Sequence, residues 1–184
     1  DITRASVRQR NEAGMAYIPA DRQNTGMIMD FTLAENLLLK SYYRPPYCVR
    51  GRLHREAFSR KSQELIGAYD IRSGQGADTV VRSMSGGNQQ KAIVARELDQ
   101  QGKLTIFVQP TRGLDIGAIE NIHRQILAER AKGRAILLIS LELDEVMKLA
   151  DTIGVIFSGQ LLKTAPVQNL TVNQVGNYMM GVTT

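Results

Sequence analysis

Residues 83–91 read Ser83-Met84-Ser85-Gly86-Gly87-Asn88-Gln89-Gln90-Lys91. A serine and two glycines at the head of a helix, here expected to run to about Leu98, make an anion site. The glycines let a phosphate approach the backbone, their N–H groups are among the helix's unpaired donors, and the macrodipole adds roughly half a positive charge. The Ser85 hydroxyl can add one donor. Taken alone, the stretch also fits a flexible loop with an ordinary N-cap, so its surroundings decide.

Downstream, Leu104–Val108 is a continuous apolar, β-branched run of the kind a buried parallel strand requires. Gln109-Pro110-Thr111-Arg112-Gly113-Leu114-Asp115 follows it. Gly117–Lys132 is predicted helical and ends at Gly133. Ala135–Ser140 reads as another buried strand, Leu143–Leu149 as a short helix and Thr152–Phe157 as a third strand. Ser158-Gly159 reads as a hairpin turn into Gln160–Lys163, and Thr171–Met180 as a closing helix. This alternation of strand and helix implies a parallel sheet.

Upstream, Met15–Ile18 is a strand candidate stopped by Pro19, and Ala20–Gly26 a loop. Leu33–Lys40 is a helix opened by a capping box, Thr32 with Glu35. Tyr42–Gly51 is an exposed loop, Arg55–Tyr69 a helix, and Ser73–Thr79 a Gly-rich connector. The stretch from Thr32 to Leu98 is therefore largely helical.

Bulk composition narrows the classes. The 184 residues are 43% hydrophobic, enough for a globular core, and carry a net charge of +5, which favours anionic neighbours. No tryptophan and 5% aromatics leave few platforms for stacking bases, and no nucleic-acid motif is present, so a nucleic-acid partner is not expected. The longest apolar runs, such as Ala135–Ile139, are far too short to span a bilayer. The single Cys48 permits no internal disulfide and fits a reducing compartment. His54 and His123 have no partner at ligand spacing, so no metal site is expected.

The series built around Ser83–Lys91 resembles the ATPases of ABC transporters. Ser83–Lys91 is similar to their signature motif, Leu104–Val108 to the Walker B strand, Gly113-Leu114-Asp115 to the D-loop, and Ile139-Ser140 leads into the switch-histidine position. Asn88-Gln89-Gln90-Lys91, Pro110-Thr111-Arg112-Gly113-Leu114-Asp115 and Tyr17-Ile18-Pro19-Ala20-Asp21-Arg22 resemble the simple-sugar and nucleoside importer branch, in the second of its two fused halves. Gln109 and Arg44-Pro45-Pro46-Tyr47 lean towards nucleoside-type, guanosine-like members. The resemblance implies an α/β, P-loop NTPase-type core, truncated and mostly parallel, with an α-helical subdomain. It divides the chain into a core segment with the Q-loop region at 1–31, a helical subdomain ending in the signature helix at 32–98, and an α/β core with Walker B, D-loop and switch regions at 99–184. Asp1 enters mid-pattern, and the chain reads as an excised piece starting after the phosphate loop.

The sequence departs from the family where hydrolysis is done. No Gly-x-x-x-x-Gly-Lys-Ser/Thr occurs. Val108 stands at the Walker B aspartate position and Gln109 at that of the catalytic glutamate. Leu141 stands at the switch-histidine position and Ala20 at that of the Q-loop glutamine. Phosphoryl transfer needs anchored Mg²⁺, an oriented water and cationic stabilisation, and these residue types supply none of them. The expectation is a degenerate site whose isolated fragment is inactive. Ser85, Gly86, Gly87 and Asn88 would instead serve, in trans, an ATP and its Mg²⁺ held by the first half of the same subunit. Asn88 would fix the helix start or contact the ribose, and Gly113, Leu114 and Asp115 would support the interface between halves. The resemblance further implies membrane permease subunits as partners, an extracytoplasmic solute-binding protein indirectly, and a peripheral place on the cytoplasmic face of a bacterial cell membrane.

Two other readings stay open. One is a non-catalytic regulatory or interaction module that binds the partner ATPase half or the permease. The other is a soluble ABC protein acting on ribosomes or DNA. Among remaining features, Arg44, Arg50, Arg52 and Arg55 read as solvated surface, with anionic lipid as the alternative. Asp21 and Arg22 read as a turn pair or as the lining of a groove for a permease helix. Glu142, Asp144 and Glu145 read as a solvated helix start.

Overall fold

The computed structural model describes residues 1–182 and divides into two compact units, Asp1–Leu137 and Leu138 onward. The order in the first is α1 (Val7–Glu12), β1 (Met15–Ile18), α2 (Leu33–Leu37), β2 (Cys48–Val49), β3 (Arg52–Leu53), α3 (Arg55–Ala68), α4 (Gly86–Asp99), β4 (Leu104–Val108) and α5 (Ile116–Ala131). β5 (Ala135–Ile139) runs across the division. α6 (Leu143–Leu149), β6 (Thr152–Phe157), β7 (Gln160–Pro166) and α7 (Val172–Met179) form the second unit.

β1, β4 and β5 make a three-stranded sheet in the order β1-β4-β5. β1 and β4 are parallel, Met15 opposite Leu104 and Ile18 opposite Phe107. Ala16, Ile18, Thr105 and Phe107 are buried, the alternate positions that a period of two assigns to one face. Because the strands run the same way, the loops that leave Ile18 and Val108 emerge at one end of the sheet. That end is where α/β folds place ligands.

The expected capping box forms at Thr32 with Glu35, and Thr171 with Gln174 and Ser6 with Gln9 make two more. α2 is shorter than its spacing predicts. Beyond Leu37 the chain continues as turns, with the Ser41 and Tyr42 N–H groups both donating to the Leu38 carbonyl. The loop 42–51 carries one strand of a small antiparallel hairpin, Cys48 opposite Leu53.

Three expectations are corrected downstream. β6 does not continue the parallel sheet: it pairs antiparallel with β7, turning at Ser158-Gly159 with φ of 46° and 78°. Two successive left-handed residues give the turn whose twist matches flanking strands, so the hairpin signal outranks the strand–helix alternation. β5 is also not a buried strand. Its positions alternate between exposed and half-buried, with Leu137 and Ile139 exposed. The second unit has its own core of Ile153, Val155, Leu170 and Val175, against which Leu143, Val146 and Tyr178 pack. Within it Glu145 is buried rather than solvated as the composition of that helix start suggests.

In the first unit, α4 is the buried element, closed to solvent from Ala92 to Leu98. Its last turn carries Arg96 and Glu97, both buried. Glu97 accepts hydrogen bonds from Lys40 Nζ at 2.5 Å, Arg96 Nε at 3.0 Å and the Tyr17 N–H at 3.1 Å. Arg96 donates onward to the Gly26 carbonyl at 2.8 Å. One ionic cluster thus ties α4 to β1, to the turn at Gly26 and to the segment after α2.

Near α3's end, burial pushes the Tyr69 phenol up to about 12, with the negative charges of Glu129 and Asp99 adding to it. The raised value implies that the neutral phenol stabilises the fold fully below the ordinary tyrosine pKa of about 10. That contribution is then lost as pH rises towards 12. Ultraviolet titration of the chain should show the Tyr69 phenolate forming late, with Tyr47 also raised by burial. Tyr69→Phe should remove both that step and the alkaline loss of stability.

Candidate functional site

Ser85 holds extended backbone as the N-cap of α4 (φ −64°, ψ 152°), and its side chain caps no backbone N–H. The helix ladder begins with the Gln89 N–H on the Ser85 carbonyl at 3.0 Å. The N–H groups of Gly86, Gly87 and Asn88 lie ahead of it, where a helix has no internal acceptor to offer. Gln89 locks this start from beneath, its buried amide nitrogen donating to the Val81 and Met84 carbonyls at 3.0 and 3.2 Å.

The loops after the two parallel strands close around this helix start. Asp115 is the N-cap of α5, accepting the Ala118 N–H at 2.9 Å. A methyl group placed on Gly87 would meet Ala118 Cβ at 3.7 Å and Asp115 Oδ2 at 3.9 Å. One placed on Gly86 would meet the Arg22 guanidinium at 3.5 Å. Arg22 in turn donates to the Arg112 carbonyl at 3.0 Å, joining the loop after β1 to the loop after β4. Burial lowers the Arg22 pKa, and the Arg112 charge lowers it further. Asp21, its neighbour, is a local turn former: its carboxylate accepts the Gln23 and Asn24 N–H groups and the Asn24 side-chain amide.

A cleft of about 320 Å³ opens at this point, lined by Ser85, Gly87, Asn88 and Lys91 of α4, by Asp115, Asn121 and Arg124 of the α5 region, and by Asp70 and Arg72. Lys91 Nζ donates to both the carbonyl (2.6 Å) and the carboxylate (2.9 Å) of Asp70. Its hydrogen bond and charge hold the Asp70 carboxyl below the usual carboxylate range. The structure therefore brings Ser85, Gly87, Asn88 and Asp115 to one cleft. Gly113 stands nearby, with a left-handed φ of 67° and the Arg22 guanidinium beside it. The contributions of Arg22, Asp70, Arg72 and Arg124 had no sequence signal, because none stands at a diagnostic spacing from the motif.

The four positions expected to be degenerate are placed differently. Val108 is the half-buried last residue of β4. Gln109 follows with φ 48° and accepts the Arg112 N–H at 3.2 Å. Ala20 follows Pro19 after β1 and is half-buried. Leu141 lies in the second unit and is 73% exposed. The donor types bear on two ligands. Backbone N–H groups, a hydroxyl and nearby cations suit a phosphate. Magnesium is usually held through one or two carboxylates, and the residues present do not fit it: Val108 offers no side-chain oxygen, Gln109 only a neutral amide, and Asp115 Oδ1 is used by its own helix. Among the described residues no group of three or more His, Cys, Asp or Glu is placed to hold a metal ion. Among them, too, no helix is long and apolar enough to cross a membrane.

No family model matches the chain. Single relatives do. It is 44% identical over 182 residues to the guanosine import ATP-binding protein NupO of Bacillus subtilis, covering 99% of this chain and 36% of that protein. It is 41% identical over 181 residues to the nucleoside import ATP-binding protein NupA of Lactococcus lactis, covering 98% and 36%. It is 36% identical over 159 residues to a ribose import ATP-binding protein of Rubrobacter xylanophilus, covering 85% and 30%. The chain thus spans about a third of the length of the curated relatives it matches. Among solved structures, an ATP-binding cassette of an ABC transporter in its ADP conformation superposes with a TM-score of 0.69 at 21% identity, over 98% of this chain and 70% of that one. The fold is that of the ABC ATPase cassettes, an α/β P-loop NTPase type.

Proposed function

We propose that the chain belongs with the ATP-binding proteins of ABC importers and is the second, degenerate half of such a subunit, serving nucleoside import. Ser85 and the N–H groups of Gly86 and Gly87 complete a nucleotide site whose phosphate loop and magnesium belong to the first half. The chain's own residues orient and neutralise phosphate oxygens there. They neither anchor a metal nor move a proton from water, because Val108 and Gln109 cannot. The permease subunits and the solute are engaged by the assembled importer. Nucleosides are favoured over simple sugars because the two relatives at 44% and 41% identity are guanosine and nucleoside import proteins.

One observation carries this reading. Neither Gly86 nor Gly87 has the left-handed φ that excludes a side chain, and a methyl on either would make ordinary van der Waals contact. The chain's own fold does not need two glycines here. Their bareness matters to something that approaches from outside, and the donors on offer select an anion.

A photoreactive ATP analogue carrying its label on the γ-phosphate tests this in the assembled subunit. Label should appear on the peptide containing Ser85–Asn88 and depend on an intact phosphate loop in the first half. Failure to label that peptide, with the first half labelled normally, would remove the assignment.

A further inference from the structure

Asn88 uses both ends of its amide. Its Oδ1 accepts the Arg72 N–H at 2.8 Å and its Nδ2 donates to Ser85 Oγ at 2.9 Å. The orientation is not arbitrary: a backbone N–H can only donate, so the oxygen must face Arg72 and the NH₂ must face Ser85. Ser85 Oγ is therefore an acceptor towards Asn88, and its own hydrogen is left for another partner.

Ser85 differs in this from other hydroxyl caps of the chain. Ser6, Thr32 and Thr171 each accept the backbone N–H three residues on, in capping boxes. Ser85 makes no such bond. Its oxygen instead accepts from a side chain one turn into α4, and Ser85 lines the cleft.

The Arg72 N–H that orients Asn88 is itself held in place. Asp70 ends α3 with a left-handed φ of 47°, and the Ile71 N–H closes back on the Ile66 carbonyl at 3.0 Å. That closure is a helix-ending turn of the Schellman kind. Ile71 is buried, and Lys91 grips Asp70 by carbonyl and carboxylate. Segment 70–72 is thus fastened to α4 at Lys91 and at Asn88, one turn apart.

We propose that Asn88 is a positioning residue: anchored by the Arg72 N–H, it sets the Ser85 hydroxyl as a donor towards a nucleotide phosphate oxygen. This rests on the trans-donor reading above. It makes positioning, rather than a ribose contact, the main role of Asn88, since each end of the amide is already engaged within the chain.

A double-mutant cycle of Asn88→Ala and Ser85→Ala in the assembled subunit tests it. Ser85→Ala should lower kcat for ATP on the order of 10²-fold, as loss of one positioned donor does. Asn88→Ala should lower kcat by about tenfold with KM for ATP changed less than about twofold. On the Ser85→Ala background, Asn88→Ala should cost nothing more. A raised KM for ATP, or an Asn88→Ala loss that persists in full without the Ser85 hydroxyl, overturns the proposal in favour of a ribose contact or a structural role. Matching urea midpoints for all variants exclude misfolding as the cause, and a shifted Asn88→Ala midpoint with an additive loss counts against it. Should Ser85→Ala itself leave hydrolysis unchanged, the trans-donor reading is what fails.

Discussion

Alanine at Gly87 is expected to leave the fold as stable as before, or up to about 1 kcal/mol more stable, while cutting ATP hydrolysis by the assembled subunit on the order of 10²-fold. The two effects have opposite sign, which makes the result hard to mimic. On the folding side, the added Cβ meets Ala118 Cβ at 3.7 Å and an Asp115 carboxylate oxygen at 3.9 Å, both ordinary contacts. Gly87 lies in the first turn of α4, so the methyl also removes backbone freedom from the unfolded chain. On the functional side, the same methyl enters the cleft between α4 and the start of α5, where a phosphate would have to reach the Gly86 and Gly87 N–H groups. Displacing such a ligand by even 1 Å forfeits most of a short charge-assisted hydrogen bond. Urea unfolding of the chain and steady-state hydrolysis by the assembled importer measure the two halves of the prediction. Ser85→Arg should abolish hydrolysis more completely, because it fills the cleft with a long cation. Hydrolysis unchanged in Gly87→Ala would mean that no nucleotide approaches this helix.

How much of this was legible in the sequence depended on the range of the interaction. β1, β4, α5, α6 and the turn at Ser158-Gly159 follow from periodicity and turn chemistry within a few residues of each element. The helix start at Ser85 is legible for the same reason: an N-cap and two glycines are a local message. The walls of the cleft are not. Arg22 reaches Arg112 across 90 positions, and Arg72 is held by Asn88 across 16. No spacing rule encodes either pair. That β6 stays out of the parallel sheet has a related cause. An alternation of strand and helix predicts a parallel sheet on average, but β6 finds β7 two residues away, and a local hairpin closes before a distant strand can compete. For β5, an unbroken apolar run predicts burial that the strand does not show. Composition alone cannot say which neighbours cover Leu137 and Ile139.

Removing Glu97 should be strongly destabilising, costing about 3–5 kcal/mol as Glu97→Ala. The side chain of Glu97 is fully buried, and it neutralises Arg96, which is itself 4% exposed. Lys40 retains some access to water and can turn outwards when its partner goes. Arg96 cannot, since its Nη2 is committed to the Gly26 carbonyl and its Nη1 is already buried without a partner. The Glu97→Ala chain would hold an uncompensated guanidinium and an orphaned Tyr17 N–H, both of which are worse than never having buried the pair. Glu97→Gln keeps the acceptor for Tyr17 but not the charge, so it should fall between Ala and wild type. The diagnostic measurement is again a cycle. Adding Arg96→Met to Glu97→Ala takes away the stranded cation, and the double variant should recover part of the loss, with a coupling of about 1–3 kcal/mol. Strict additivity of the two losses would mean that each side chain acts through its own packing and that no buried ionic cluster ties α4 to β1. The functional consequence follows from position. Arg96 and Glu97 fix the far end of the helix whose first turn carries Ser85, Gly86 and Gly87, so a chain that loosens this cluster offers its phosphate donors from a helix no longer held against the sheet.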